Sequence, residues 1–238
     1  MQYLVASDLH YGLQQFDWIA EQASGFDAVV LAGDHLDVVG RVDLNAQIAL
    51  VLAYLGRLAD STAVIANSGN HDLNERRPDG EKSATWLSDA DPRVVTDGAT
   101  TLIGDDLVSA CCWWEGPNTR AELERQLTAA AERRSGRQWI WVYHSPPDDS
   151  PTSRSGKRHY GDAVLNELIA EHHPDLVLTG HVHEAPFQPD GSFHDLIGTT
   201  LVVNAGRQPG PVPAHLIVDT DARSVEWWTF ADTGTATW

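Results

Sequence analysis

An α/β fold, with two packed mixed β-sheets flanked by helices, is predicted by two patterns in this chain. Apolar runs of strand length alternate with stretches of helical periodicity, and the later part of the chain is rich in short strands. The length of 238 residues and the apolar share of 42% supply a sizeable core without disulfides or a structural metal. No composition shift or linker divides the chain, so residues 1–238 read as a single domain.

The elements follow in order. YLVAS (residues 3–7), AVVLAG (28–33) and AVIANSG (63–69) read as buried strands, each ending in small or polar turn residues. Between the second and third, residues 43–60 carry apolar positions at helical spacing, with Asp43 as N-cap. From residue 93 the texture changes to short strands: RVV, TTLIG and DLVSACCWW. A second helix is predicted over 119–136, with Thr119 as cap and Gly136 as stop. The strand WIWVYHS follows, then a Pro/Ser/Gly-rich loop (145–161), a helix over 161–173 and the strand DLVLTG. LVVNAG, HLIVD and SVEWWTF complete the strands. There is no internal repeat.

Composition narrows the function. The formal net charge is -18, and only Lys82 and Lys157 among the 16 basic residues are lysines. Such a surface repels polyanions and argues against extended nucleic-acid binding, which needs clustered Lys and Arg. Cys111 and Cys112 are adjacent, which disfavours a disulfide between them and does not match a CxxC pair; they read as small strand residues. Met1 directly precedes the first strand, leaving no room for a cleavable signal, and the apolar runs are too short to span a membrane. The expected location is the cytoplasm.

Asp, His and Asn residues recur just after the predicted strands: Asp8 and His10, Asp34, Asn70 with His71 and Asp72, His144, then His181 and His183. These are the C-terminal ends of apolar runs, where open α/β sheets gather their ligand loops. Asp8 and His10 are two apart, which on an extended segment turns both side chains to one side, and GHVH repeats that spacing. Gly33, Gly69 and Gly180 immediately precede polar candidates, where a tight turn or close backbone approach would aim side chains at a shared centre. Imidazoles mixed with oxygen donors suit divalent Mn, Fe or Zn. The donors are too many for one tetrahedral ion and enough for two ions sharing a carboxylate. Such a pair clamps a transferring phosphoryl group and lowers the pKa of bound water. Each piece alone is weak; five in one order are hard to obtain by accident.

The series DLH, GD, GNHD, YHS and GHVH resembles the calcineurin-like metallophosphoesterase superfamily over positions 8 to 183. The resemblance implies an αββα sandwich in which Asp8, His10 and His183 hold one metal, Asn70, His144 and His181 hold a second, and Asp34 bridges them. His71 would face the substrate phosphate together with Asn70 and act as general acid toward the leaving oxygen, with Asp72 orienting it or merely stabilising the turn. A metal-bridging hydroxide would attack phosphorus in line. The GNHD and GHVH forms are similar to the cyclic-nucleotide phosphodiesterase branch, so the expected substrate is a small phosphodiester, a cyclic nucleotide among them, or a phosphomonoester. A protein phosphatase is disfavoured because Val38 and Asp72 stand where that branch carries Arg and Glu. The net charge disfavours a nuclease, and the complete ligand set disfavours a non-catalytic scaffold. His35 reads as a supporting residue and Asp37 as a turn residue. Arg76, Arg77, Arg154, Lys157 and Arg158 read as solvated loop charges by default, with contact between one of the five and substrate as the alternative. Trp113 and Trp114 are weaker candidates for a pocket wall.

Overall fold

A computed structural model describes all 238 residues, Met1–Trp238. Two sheets pack face to face. The first has seven strands in the spatial order Thr233–Thr237, Ser224–Trp228, His215–Asp219, Gln2–Ala6, Ala28–Ala32, Ala63–Asn67 and Val94–Thr96. Gln2–Ala6 through Val94–Thr96 run parallel, and the remaining three pair antiparallel. The second has six strands: His194–Ile197, Thr200–Asn204, Leu176–Thr179, Trp139–Val142, Asp106–Ala110 and Thr100–Ile103. Its four central strands are parallel and its two edges antiparallel.

Burial on both faces explains why the central strands are unbroken apolar runs. In Ala28–Ala32, Ala28, Val30 and Ala32 point into the inter-sheet core, beside Val108, Val142, Leu178 and Val203 of the opposite sheet. Val29 and Leu31 point the other way, onto Phe16 and Ile19 of helix α1 (Leu13–Gln22) and Val51 and Leu55 of α2 (Leu44–Ala59). The second sheet buries its outer face, including Trp139 and Trp141, under Leu123 and Leu127 of α3 (Pro117–Arg133) and Leu165 and Ile169 of α4 (Ala163–His172). The layers are therefore helix, sheet, sheet, helix. No helix is long and apolar enough to cross a membrane.

Asp43 caps α2 as predicted, its Oδ1 accepting from the amides of Asn45 and Ala46 at 2.9 and 3.3 Å. The start of α3 differs from expectation: Gly116 is the N-cap and Pro117 opens the helix, so Thr119 lies inside the first turn. Glu81 reaches across to accept from the Asn118 and Thr119 amides, both at 2.8 Å, and that partner is distant in sequence. Helix α1 carries no side-chain cap, only Gly12, and so lacks the usual start signal. The predicted strand over 106–114 ends at Ala110, leaving Cys111 to Trp114 in the following loop. The strands Gln2–Ala6, Ala28–Ala32, Ala63–Asn67, Trp139–Val142 and Leu176–Thr179 each end just before a loop bearing the singled-out residues. Two small hairpins, Glu75–Arg76 with Lys82–Ser83 and Arg154–Ser155 with Arg158–His159, rise from those loops.

Candidate metal centre

The loops are laced together by main-chain bonds before any side chain contributes. The amides of Asp8 and His10 donate to the carbonyls of Gly33 and Asp34 at 3.1 and 2.9 Å, and the Gly180 amide donates to the His144 carbonyl at 2.8 Å. Asp8 and His10 are not extended, as their two-residue spacing had predicted. Both are left-handed, with φ of 55° and 41°, as are Asp34 at 53° and His181 at 66°. That region disfavours non-glycine residues, and its concentration here marks a strained, over-determined site. Two glycines are required by crowding: a Cβ at Gly69 would overlap the Asp34 carboxylate, and one at Gly180 the Asp8 carboxylate.

All seven predicted donors converge. One group comprises Asp8, His10, Asp34 and His183; the other comprises Asp34, His144 and His181. Asn70 joins the second, its Oδ1 lying 2.9 Å from His181 Nδ1. Asp34 belongs to both groups: its Oδ2 lies 3.3 Å from His144 Nε2 and 3.7 Å from His10 Nε2. His183 Nε2 lies 3.3 Å from Asp8 Oδ1 and 3.0 Å from His10 Nε2. The carboxylates are also held in place by amides. Asp34 Oδ1 accepts from His71 N at 2.8 Å, and both Asp8 oxygens accept from His181 N at 3.1 Å.

The electrostatics ask for positive charge. Asp8 and Asp34 are buried, and neither has a Lys or Arg within ion-pair distance. Two buried carboxylates whose charge is only partly balanced would cost several kcal/mol. Burial pushes the His144 pKa down, but the Asp34 and Asp8 carboxylates outweigh it and hold it up to about 10. Burial pushes His10 and His181 down to about 4, leaving neutral imidazoles, the form that binds metal. His144 Nδ1 lies 2.7 Å from the Ala32 carbonyl, which directs Nε2 toward the carboxylates, and this buried Nε2 has no hydrogen-bond partner. A backbone carbonyl orienting a ring whose other nitrogen is free is the supporting arrangement typical of a metal-bound histidine. Donor separations of 3.0–3.7 Å suit neighbouring ligands of an ion bound at about 2.0–2.2 Å. The residues present fit divalent metal.

His71 stands at the rim, its ring edge-on to His10 at 4.7 Å and its Nε2 4.0 Å from Asp34 Oδ2, with the side chain 27% exposed. Asp72 does not orient it. Its Oδ1 accepts from the amides of His35 and Leu36 at 2.9 and 3.1 Å, and its Oδ2 from Gly69 N at 2.9 Å. Both oxygens are thus committed to backbone, and Asp72 ties the Asp34 loop to the Asn70 loop. Of the two readings of Asp72, these bonds match the turn-stabilising one. His35 is buried, with Nε2 2.9 Å from the Asn67 carbonyl. The Asp37 side chain accepts from the Val39 amide at 3.1 Å, as a turn residue should.

A cavity of about 510 Å³ opens beside Asn70, His144 and His181, with Trp113, Trp114, Tyr160 and Lys82 on its walls. None of Arg76, Arg77, Arg154, Lys157 and Arg158 lines it. Arg77 is held by both Glu122 oxygens at 2.7 Å, and Arg154 is engaged with His159 and Asp190. Sequence reasoning missed Lys82 and Tyr160, which are brought in by the two hairpins. It also missed Arg207, an exposed cation without an ion pair whose charge opposes protonation of His10. No local motif marks these three.

The calcineurin-like phosphoesterase model matches residues 1–185, and the chain belongs to that family. It is accordingly a metal-dependent phosphoric ester hydrolase. The fold is similar to that of TT1561 from Thermus thermophilus, at 17% identity and a TM-score of 0.59, covering 99% of this chain and 98% of that one. It is also similar to the purple acid phosphatase PPD1 of yellow lupin (Lupinus luteus), at 14% identity and a TM-score of 0.60. That likeness covers all of this chain and 53% of the lupin protein. A 47-residue stretch is 45% identical to malvidin galactosylase UGT88C3 of Oryza sativa subsp. japonica, spanning 20% of this chain and 9% of that protein. So short a match carries no functional argument.

Proposed function

We propose that residues 1–238 form one dinuclear phosphoesterase domain that hydrolyses a small phosphodiester, with cyclic nucleotides among the candidates, or a phosphomonoester. The observation that carries this reading is the shared carboxylate: Asp34 is a member of both donor groups. Asp8, His10 and His183 would hold one divalent ion, Asn70, His144 and His181 the other, with Asp34 common to both. Mn, Fe and Zn all suit this mixture of imidazole and oxygen donors. Such ions polarise the phosphate and lower the pKa of water at the centre.

The chain's own residues do the rest. The amides of His71 and His181 hold Asp34 and Asp8 with their remaining oxygen edges turned to the centre. His71, partly exposed and without a hydrogen bond at either ring nitrogen, is free to donate a proton to the departing oxygen. The Asn70 amide at the cavity edge would bind a phosphate oxygen alongside its contact with His181. Lys82 and Arg207 add positive charge on either flank, offsetting the acidic surface near the substrate.

The test is metal content together with turnover on a panel of phosphomonoesters and diesters. Chelation should abolish hydrolysis, and manganese should restore it. Asp34→Ala is expected to lose most bound metal and at least about a thousandfold in activity, the upper end for removing one stabilising group. A full complement of metal in Asp34→Ala would overturn the shared-carboxylate reading.

A further inference from the structure

Resting on that phosphoesterase reading, we propose that the cavity beside Asn70, His144 and His181 is a specificity pocket that receives a planar aromatic group carried by the phosphate ester, with Trp113 and Tyr160 as its recognition surfaces. The Trp113 ring lies 5.3 Å from the His181 ring and 5.8 Å from the His144 ring. A group laid on its open face is therefore next to a phosphate bound at those donors. The ring is placed by backbone: Trp113 N donates to Ser68 Oγ at 2.9 Å, and Ser68 N donates to Asp97 Oδ1 at 2.8 Å. Trp113 is only partly buried and lines the cavity.

Tyr160 supplies a second aromatic surface on the same cavity. It is 51% exposed at the end of the Arg154–His159 hairpin, while its amide is tied to the Ser153 carbonyl at 2.9 Å. It borders both this cavity and a recess of about 200 Å³ lined by His181 and His183. The acid on the cavity's inner wall is already occupied by contacts: Asp162 accepts from Trp114 Nε1 at 2.9 Å, from the Tyr143 hydroxyl, and from Val164 N at 2.8 Å. That wall presents aromatic edges rather than a free charge. Lys82, Glu115 and Ser145 form the polar edge. Rigid aromatic walls with a polar edge suit a flat ring, because stacking needs little side-chain ordering and edge groups find partners.

The experiment measures affinities of non-hydrolysable phosphonates for the manganese-loaded protein by calorimetry. Phenylphosphonate and adenosine 5′-methylenephosphonate carry rings, and methylphosphonate is the ringless reference. At least one ring ligand should bind roughly tenfold tighter than methylphosphonate, within the range for one aromatic stack. Gain by phenyl places the ring directly on phosphorus; gain by the adenosine compound alone places it across a sugar. Trp113→Ala and, independently, Tyr160→Ala should each collapse the ring-to-methyl ratio, Trp113→Phe should keep most of it, and Phe230→Ala, an exposed aromatic elsewhere, should leave it unchanged. If Trp113→Ala fails to fold, Tyr160→Ala still decides. Methylphosphonate binding as tightly as both ring compounds, or a ratio untouched by Trp113→Ala and Tyr160→Ala, overturns the pocket. Absence of any phosphonate binding together with absence of chelator-sensitive hydrolysis instead overturns the phosphoesterase reading beneath it.

Discussion

The donor cluster and the cavity wall are neighbours built by different means. Asp8, Asp34 and His144 are almost wholly buried, and amides or carbonyls from other loops fix their orientation. Trp113, Tyr160 and Lys82 are partly or largely exposed and stand on a loop or short hairpins. Close glycine packing and left-handed backbone constrain the cluster's loops further. The wall's side chains are less buried, and Trp113 and Tyr160 are anchored through their own backbone amides, to Ser68 and Ser153. Under the proposed reading, chemistry falls to the buried, over-determined part and selectivity to the more exposed part.

Variants can break or sharpen that contrast. His71→Ala is expected to lose about 10²–10⁴-fold in turnover while metal content stays full, as removal of a proton donor should. Loss of metal instead would move His71 into the cluster proper. Asp72→Ala should cost about 10–100-fold in metal affinity, the range for groups supporting a ligand, and should lower the melting temperature, because three amides lose their acceptor. If activity fell with metal affinity and stability unchanged, the catalytic reading of Asp72 would return. Lys82→Ala should be mildest: about fivefold in KM with kcat held, consistent with roughly 1 kcal/mol for an exposed charge. An equal loss in kcat would place Lys82 at the reacting atoms rather than on the wall.

What could be read in advance follows the same division. The donors were legible because each sits in a short motif directly after an apolar run, and a parallel sheet brings the ends of those runs together. The backbone around them was not. Spacing alone put Asp8 and His10 on an extended segment, whereas bonds to Gly33 and Asp34 hold them left-handed. Asp72 shows the same limit. Adjacency made it a neighbour of His71, but its Oδ1 faces amides 36 and 37 residues away in sequence. Among the helices, α2 had its Asp43 signal, while α1 began at a glycine and α3 took its capping carboxylate from Glu81.

By itself, then, the alternation of apolar runs with helical periodicity predicted the layered fold, and the order of Asp, His and Asn after strands carried the family resemblance and the set of donors, because strand burial and ligand chemistry leave local, periodic traces. Which oxygen meets which imidazole, that Asp72 braces loops, and that Trp113, Tyr160 and Lys82 share one cavity were decided only in three dimensions. Those contacts join segments far apart in the chain, and nothing in the neighbouring residues encodes them.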